Sequence, residues 1–399
     1  MKSFTKIAAS VFAILGIVCI PFPLHLFPFH EKVIKLLFGN LIISIRTHVL
    51  QDLKVDQEIS SDSVNLYILI CILLTTTVLI TMAILAYKKR KEIQDILYEF
   101  STIILSYYLS FQLLNYGFNK IFKSQFYLPE PNTLYTPVGY LDKDILFWTT
   151  MGSSYSYNLF LGGIEVFAGL LLLFRKTRMI GCVLSITIFA NILAINISFD
   201  ISVKLFVTFL LFLSLFGCSR YFLGIIKKLI QSLKNQYTPW YTKKTFIYPF
   251  MKSFIILCMV YEVLYPNIMT NTFHDDKIDR PFLHGAYEVI NTTDNGIHAP
   301  YNPWKRIFMH RENYIIFQDE KDQMTDFKLQ INPSKSQIKL TDYDLTQMVI
   351  SYHYIKKDSI LVLRYNEQGH QYQLTTKQLN WKTLPLLKNQ FHWIIEDVE

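Results

Sequence analysis

A helical membrane bundle followed by a small antiparallel β-barrel is the architecture this sequence predicts, and three observations predict it. The first two thirds consist of apolar blocks of membrane-span length separated by short Lys/Arg clusters. From Asn267 onward those blocks disappear and apolar residues alternate with polar ones. The charge divides at the same place: the whole chain has 39 Lys+Arg against 31 Asp+Glu, whereas the part after Asn267 has 15 against 17. The positive excess therefore belongs to the membrane part, where loops held in the cytoplasm are enriched in Lys and Arg. Basic residues at the ends of apolar blocks predict a lipid bilayer as partner and not nucleic acid, which needs them on one face.

A span requires about 20 mostly apolar residues. Seven blocks fit: 7–22, 66–87, 96–117, 159–174, 179–197, 202–223 and 246–265. The first follows Lys2 and Lys6 and ends in Pro21-Phe22-Pro23 without a small-x-small cleavage site, so it is expected to stay as an uncleaved helix. Between the first two, Ile34, Leu37, Leu41 and Ile45 recur at helical spacing while Lys32, Lys35 and Arg46 stay polar. That pattern predicts an amphipathic helix at the membrane surface. Its histidines, His25, His30 and His48, read as interface residues and not as metal ligands.

Basic clusters set the direction of the spans. Residues 88–91, 175–178 and 220–244 are all expected in the cytoplasm. Alternation then places the N-terminus inside, and puts the 24–63 and 119–157 connections and everything after Pro266 outside. The division expected is a two-span region at 1–95, a four-helix core at 96–226, a basic segment with the last span at 227–266, and an outer β domain at 267–399. All five cysteines lie in apolar runs without a CxxC pair, which points away from a disulfide framework, a thiol redox centre or a zinc site.

Polar residues at membrane depth locate a candidate site, because they are costly there and need partners. Glu165 falls about two turns inside the fourth span, and Asn191 and Asn196 lie in the fifth. Asp200 and Lys204 mark the entry to the sixth, and Lys120 the outer end of the third. The topology lets Lys120, Glu165, Asp200 and Lys204 meet in one outer layer. Two readings stay open: a polar clasp that fixes helix packing, or a pocket for a substrate or quinone.

At these residues the chain resembles the DoxX-like membrane proteins. Gly117-Phe-Asn-Lys120-Ile with Ser124-Gln-Phe126 is similar to that family's GxxKL…QF signature. Leu146 to Gly152, Gly163-Ile-Glu165, Gly169 to Arg175, Thr177, Gly181, Asn196 to Asp200 and Val203-Lys204 continue it in order, over about 107–222. The resemblance implies a four-helix membrane core in an inner membrane and, through relatives associated with a thiosulfate:quinone oxidoreductase, a quinone-linked role or another membrane subunit as partner. No predicted span contains histidine, so haem held by paired histidines is not expected. If electrons move, a bound quinone or a partner must carry them. The rival expectation is a non-enzymatic membrane-anchored binding or assembly protein. Transport lacks the duplicated halves expected of secondary transporters.

In the last third, strands are predicted near 284–290, 304–311, 314–317, 327–331, 337–341, 348–354, 360–365 and 371–375, with a ninth candidate at 391–396. Short strands at this spacing predict an up-and-down barrel. Leu283-His-Gly-Ala-Tyr-Glu-Val289, Trp304-Lys-Arg-Ile and Phe391 to Glu396 resemble a lipocalin-like tail found on some DoxX-like proteins. Such a barrel is filled by its own side chains or holds one small ligand. Tyr287, Trp304, Phe317, Tyr352, Tyr365 and Trp393 supply bulk for filling it. His274-Asp275-Asp276 and His310 lack metal-ligand spacing, and no nucleophile elbow or phosphate loop is present.

Overall fold

The computed structural model describes residues 3–21, 29–49, 58–230, 247–270, 272–299, 303–367 and 369–387. Among the described residues ten α-helices precede the sheet: α1 Ser3–Cys19, α2 His30–His48, α3 Val64–Ala86, α4 Arg90–Ile121, α5 Pro131–Leu134, α6 Lys143–Ser153, α7 Tyr155–Leu173, α8 Arg178–Ser198, α9 Lys204–Ile230 and α10 Ile247–Met269. The expected class, a mainly α membrane bundle followed by an antiparallel barrel, is the one observed.

The span count is lower than the seven expected. Among the described residues, four helical segments are long and apolar enough to cross a bilayer: Val64–Ala86, Tyr155–Leu173, Arg178–Ser198 and Pro249–Met269. Helices stand at the other three positions but differ in kind. Ser3–Cys19 and the apolar part of α9, Lys204–Ser219, are shorter. α4 is long but begins with a charged segment, Arg90 to Glu99, and its uncharged stretch is diluted by Ser101, Thr102, Ser106, Ser110, Gln112 and Asn115. Four spans make this a multi-pass membrane protein.

The chain segregates into two compact units that cross the sequence divisions. One comprises Met1–Gln125 with Leu159–Phe273, the other Phe126–Asn158 with His274–Glu399. In the helical unit, Leu69 and Leu73 of α3, Leu105, Leu109 and Leu113 of α4, Leu172 of α7, Phe189 of α8 and Leu210 and Leu213 of α9 form one buried cluster. α1 runs alongside α4 in the same direction: Lys6 Nζ reaches Asp95 at 2.8 Å and lies over the Tyr98 ring, and Ser3 bonds Gln94.

α4 and α7 meet through small residues. The Ser110 hydroxyl donates to the Gly169 carbonyl at 2.7 Å. A Cβ on Gly117 would stand 2.9 Å from the Gly162 carbonyl, and one on Gly162 would stand 2.5 Å from the Gly117 carbonyl. Small residues seven apart on both helices let the backbones touch, a packing mode that membrane helices use in place of a hydrophobic driving force. The basic turn after α7 also has a structural task. Thr177 Oγ1 and Arg178 Nε donate to the carbonyls of Leu171 and Leu172, at 2.8 and 3.1 Å, satisfying acceptors that a helix end leaves open.

The β unit is a closed barrel. Strands β1 Gly285–Asp294, β2 Ile297–His298, β3 Arg306–Met309, β4 Tyr314–Gln318, β5 Met324–Asn332, β6 Gln337–Thr341, β7 Gln347–Ile355, β8 Ile360–Glu367 and β9 His370–Leu379 follow one another in antiparallel order. β1 also pairs with β9 from Ala286↔Leu379 to Asp294↔Tyr372, closing eight strands, with β2 a short hairpin on β1. The predicted strand at 391–396, with Trp393, lies outside the described residues, as do His25 and residues 231–246 of the basic segment. Tyr287, Ile307, Ile315, Ile338, Leu361, Leu363 and Leu374 are buried in one apolar cluster inside the barrel.

The start of β1, with β3 and β4, is buried on both faces, which a barrel open to solvent would not require. Their outward residues Ala286, Phe308 and Ile316 pack with Trp381 against Leu128, Leu134 and Tyr135. The segment Phe126–Asn158, with α5 and α6, is thus a strap across the barrel's outside. The Tyr135 ring stacks on Phe308 at 5.9 Å, and Gln318 Nε2 donates to the Tyr135 carbonyl.

Candidate functional site

Of the six residues singled out in the sequence, the structure joins four as two separate pairs. Lys120, in the last turn of α4, places Nζ 2.9 Å from Glu165 Oε2 in the middle of α7. Both are almost wholly buried, at 5 % and 4 % exposure. Gln125, in the turn after α4, accepts a second bond from Lys120 Nζ at 3.0 Å, and the Tyr116 ring lies 5.7 Å from the ammonium. A charge taken out of water needs this density of partners to persist. The small-residue seam brings the two backbones close enough for the pair to close.

Asp200 and Lys204 form the second pair. Lys204 Nζ meets Asp200 Oδ1 at 2.9 Å, one turn apart in sequence, with the Asp200 side chain 84 % exposed. Asp62, just before α3, accepts bonds from the Lys204 and Leu205 amides at 2.9 and 3.0 Å and so caps α9 from another part of the chain. A carboxylate there satisfies open N–H groups and favours the positive end of the helix dipole. This second pair is therefore a helix-entry device at the surface, and not part of the same buried layer as Lys120 and Glu165. Asn196 is buried, with its Nδ2 unpartnered, while Asn191 is exposed on the side of α8.

Sequence reading missed the rest of the α4 face. Tyr108, Gln112, Tyr116 and Lys120 recur every four residues, so they form one slowly turning file on a helix of 3.6 residues per turn. Gln112 is fully buried, and the Tyr108 hydroxyl lies beside its amide one turn away. The fourfold spacing was legible in the sequence.

A second charged cluster lies inside the β unit. Glu130 of the strap bonds His284 Nε2 at 2.8 Å, and Arg311 Nε stands 3.9 Å from its other oxygen. Arg311 grips Asp275 with both terminal nitrogens at 2.7 Å, and Arg280 adds a bond at 2.9 Å. Burial pushes the Asp275 carboxyl up, but the bonds from Arg311 and Arg280 outweigh it and hold it below the ordinary range. Burial lowers His310, against the opposing field of Glu130. Asp276 accepts the Leu128 amide at 2.9 Å, and His274 lies against the Tyr155 ring. These residues tie the strap to the barrel.

No family model matches the chain. Over 84 residues, 20 % of its length, it is 38 % identical to the uncharacterized protein YwoB of Bacillus subtilis (strain 168). The chain spans 54 % of that protein's length. No solved structure matches.

Proposed function

We propose that this is a non-enzymatic, membrane-anchored binding or assembly protein whose β unit engages a partner outside the bilayer. One observation carries this reading: the described inward residues of the barrel are apolar and bury one another in a single cluster, so a partner is met at its outer face and rims. The buried ion pair agrees with it, since Lys120 is held by Glu165 and Gln125 as a clasp between α4 and α7. A DoxX-like helical unit and a lipocalin-like barrel belong to this reading. Lys120, Glu165, Gly117, Gly169 and Thr177, which carry the resemblance, all have packing or bonding roles that support it.

Connectivity supports one orientation. The strap and the C-terminal strands share one compact unit, so they stand on the same side of the bilayer. An even number of crossings must then separate residue 158 from residue 274. α7, α8 and α10 provide three, and we infer that α9, through its apolar part Lys204–Ser219, is the fourth. The Lys/Arg clusters at 88–91 and 175–178 then favour an N-terminus inside and a β unit outside an inner membrane.

The second reading is a quinone-associated or redox component, favoured by the buried Gln112 amide on the same helix face as Lys120. A deletion strain complemented with two full-length variants separates the readings. Tyr343→Asp/Leu345→Asp alters an exposed loop of the β unit, and Glu165→Gln alters the pair. Binding predicts loss of complementation in the first and retention in the second, at equal protein levels. The opposite pattern, or a quinone that co-purifies with wild type and not with Glu165→Gln, overturns it in favour of the second reading.

A further inference from the structure

α2 is an unabsorbed element with two apolar faces. One packs inward through Ile34 and Ile42. The other exposes Phe29, Val33, Leu36, Leu37 and Leu41, with Leu36 at 81 % and Leu37 at 66 % exposure. At 100° per residue these five fall within about 140° of arc. Lys32 and Lys35 occupy a flank between the faces, both exposed, with the Lys32 ammonium 5.7 Å from the Phe29 ring centre. Glu31 stands in the first turn, where the helix dipole accommodates an acid.

Both ends of α2 are fixed at one level of the bundle. His30 Nε2 bonds the Val18 carbonyl at the end of α1, and Arg46 bonds Asn65 at the start of α3 at 3.1 Å. α1 begins beside the start of α4, and a short turn joins the end of α3 to that same point, so α1 ends where α3 begins. α2 therefore runs across the ends of α1 and α3 and does not cross the bilayer with them.

We propose that α2 lies in the membrane interface and binds anionic lipid, with Phe29, Val33, Leu36, Leu37 and Leu41 among the acyl chains and Lys32 and Lys35 on the headgroup phosphodiester. Position at the span ends and charge complementarity select lipid: a lysine-flanked apolar face is the form of an interfacial helix, and each surface lysine adds attraction to anionic lipid.

The test uses the full chain in vesicles of phosphatidylcholine with and without phosphatidylglycerol. Spin labels at Leu37→Cys and at Lys35→Cys, in a background lacking the five native cysteines, report depth by collision with oxygen or a water-soluble nickel chelate. Oxygen should dominate at position 37 and nickel at position 35; nickel dominance at both overturns the proposal. Because removing five cysteines can impair folding, native mass spectrometry of the otherwise wild-type chain gives a second measure. Lys32→Gln/Lys35→Gln should weaken phosphatidylglycerol retention about tenfold and leave phosphatidylcholine retention unchanged. Unchanged phosphatidylglycerol retention, or its displacement by inorganic phosphate, sinks the idea of a lipid site here.

Discussion

Removing one member of the Lys120–Glu165 pair should cost more than removing both. The two groups are 2.9 Å apart and nearly inaccessible. Replacing Glu165 with Leu strands the Lys120 ammonium in a low-dielectric site, for which breaking a buried pair typically costs about 3–5 kcal/mol. Gln125 still accepts from Lys120, which places Glu165→Leu near the lower end, about 3 kcal/mol. Lys120→Met strands a carboxyl that escapes part of the cost by taking up a proton, giving about 2–3 kcal/mol. Lys120→Met/Glu165→Leu strands neither and should lose only about 1–2 kcal/mol, well short of the sum. Thermal unfolding of the four purified proteins in one detergent, closed as a double-mutant cycle, measures the coupling. Additive losses would refute the argument, because they would mean that the two charges stabilise the bundle independently.

Three further outcomes follow from the packing. Gly162→Leu should separate α4 from α7, since even a Cβ there stands 2.5 Å from the Gly117 carbonyl; a loss above about 2 kcal/mol is expected on the same thermal assay. Phe308→Ala, beneath the strap, should cost about 3–4 kcal/mol and expose 126–142 to protease, whereas Val349→Ala on the open face should change stability by less than about 0.5 kcal/mol. The Asp275 carboxyl is held below its ordinary range, so its contribution is present above the unfolded value near ~3.9 and is lost as pH falls through the folded value. Wild type should therefore lose stability below about pH 4, and Asp275→Asn, less stable at neutral pH, should show a shallower acid loss in melting curves from pH 7 to pH 3.

The sequence located elements better than it located partners. Strands 337–341 and 360–365 were legible because alternation maps directly onto the inside and outside of a barrel, and Ile338, Leu340, Leu361 and Leu363 do point inward. In Arg306–Met309 and Tyr314–Gln318 alternation gives way to continuous apolar runs, the mark of strands buried on both sides, but nothing local said what covers them. The cover comes from more than 150 residues earlier, in a segment that reads as an ordinary connection. At the candidate site, cost at membrane depth marked Lys120 and Glu165 correctly as residues needing partners. It also drew in Asp200 and Lys204, because sequence distance from a span end does not reveal that a turn faces outward. Asp62, which caps α9, carried no signal at all, since a lone Asp before a helix ordinarily caps its own.

Composition and periodicity alone determined the apolar helices, the alternating strands and the boundary between them, since each follows from residues a few positions apart. Tertiary structure decided that Lys120 closes on Glu165 while Lys204 turns to Asp200, that the strap belongs to the barrel, and that the barrel's inward residues bury one another in one apolar cluster. Those outcomes depend on which surfaces approach within hydrogen-bonding or van der Waals distance, and small residues such as Gly117 and Gly162 set that distance without announcing their partner.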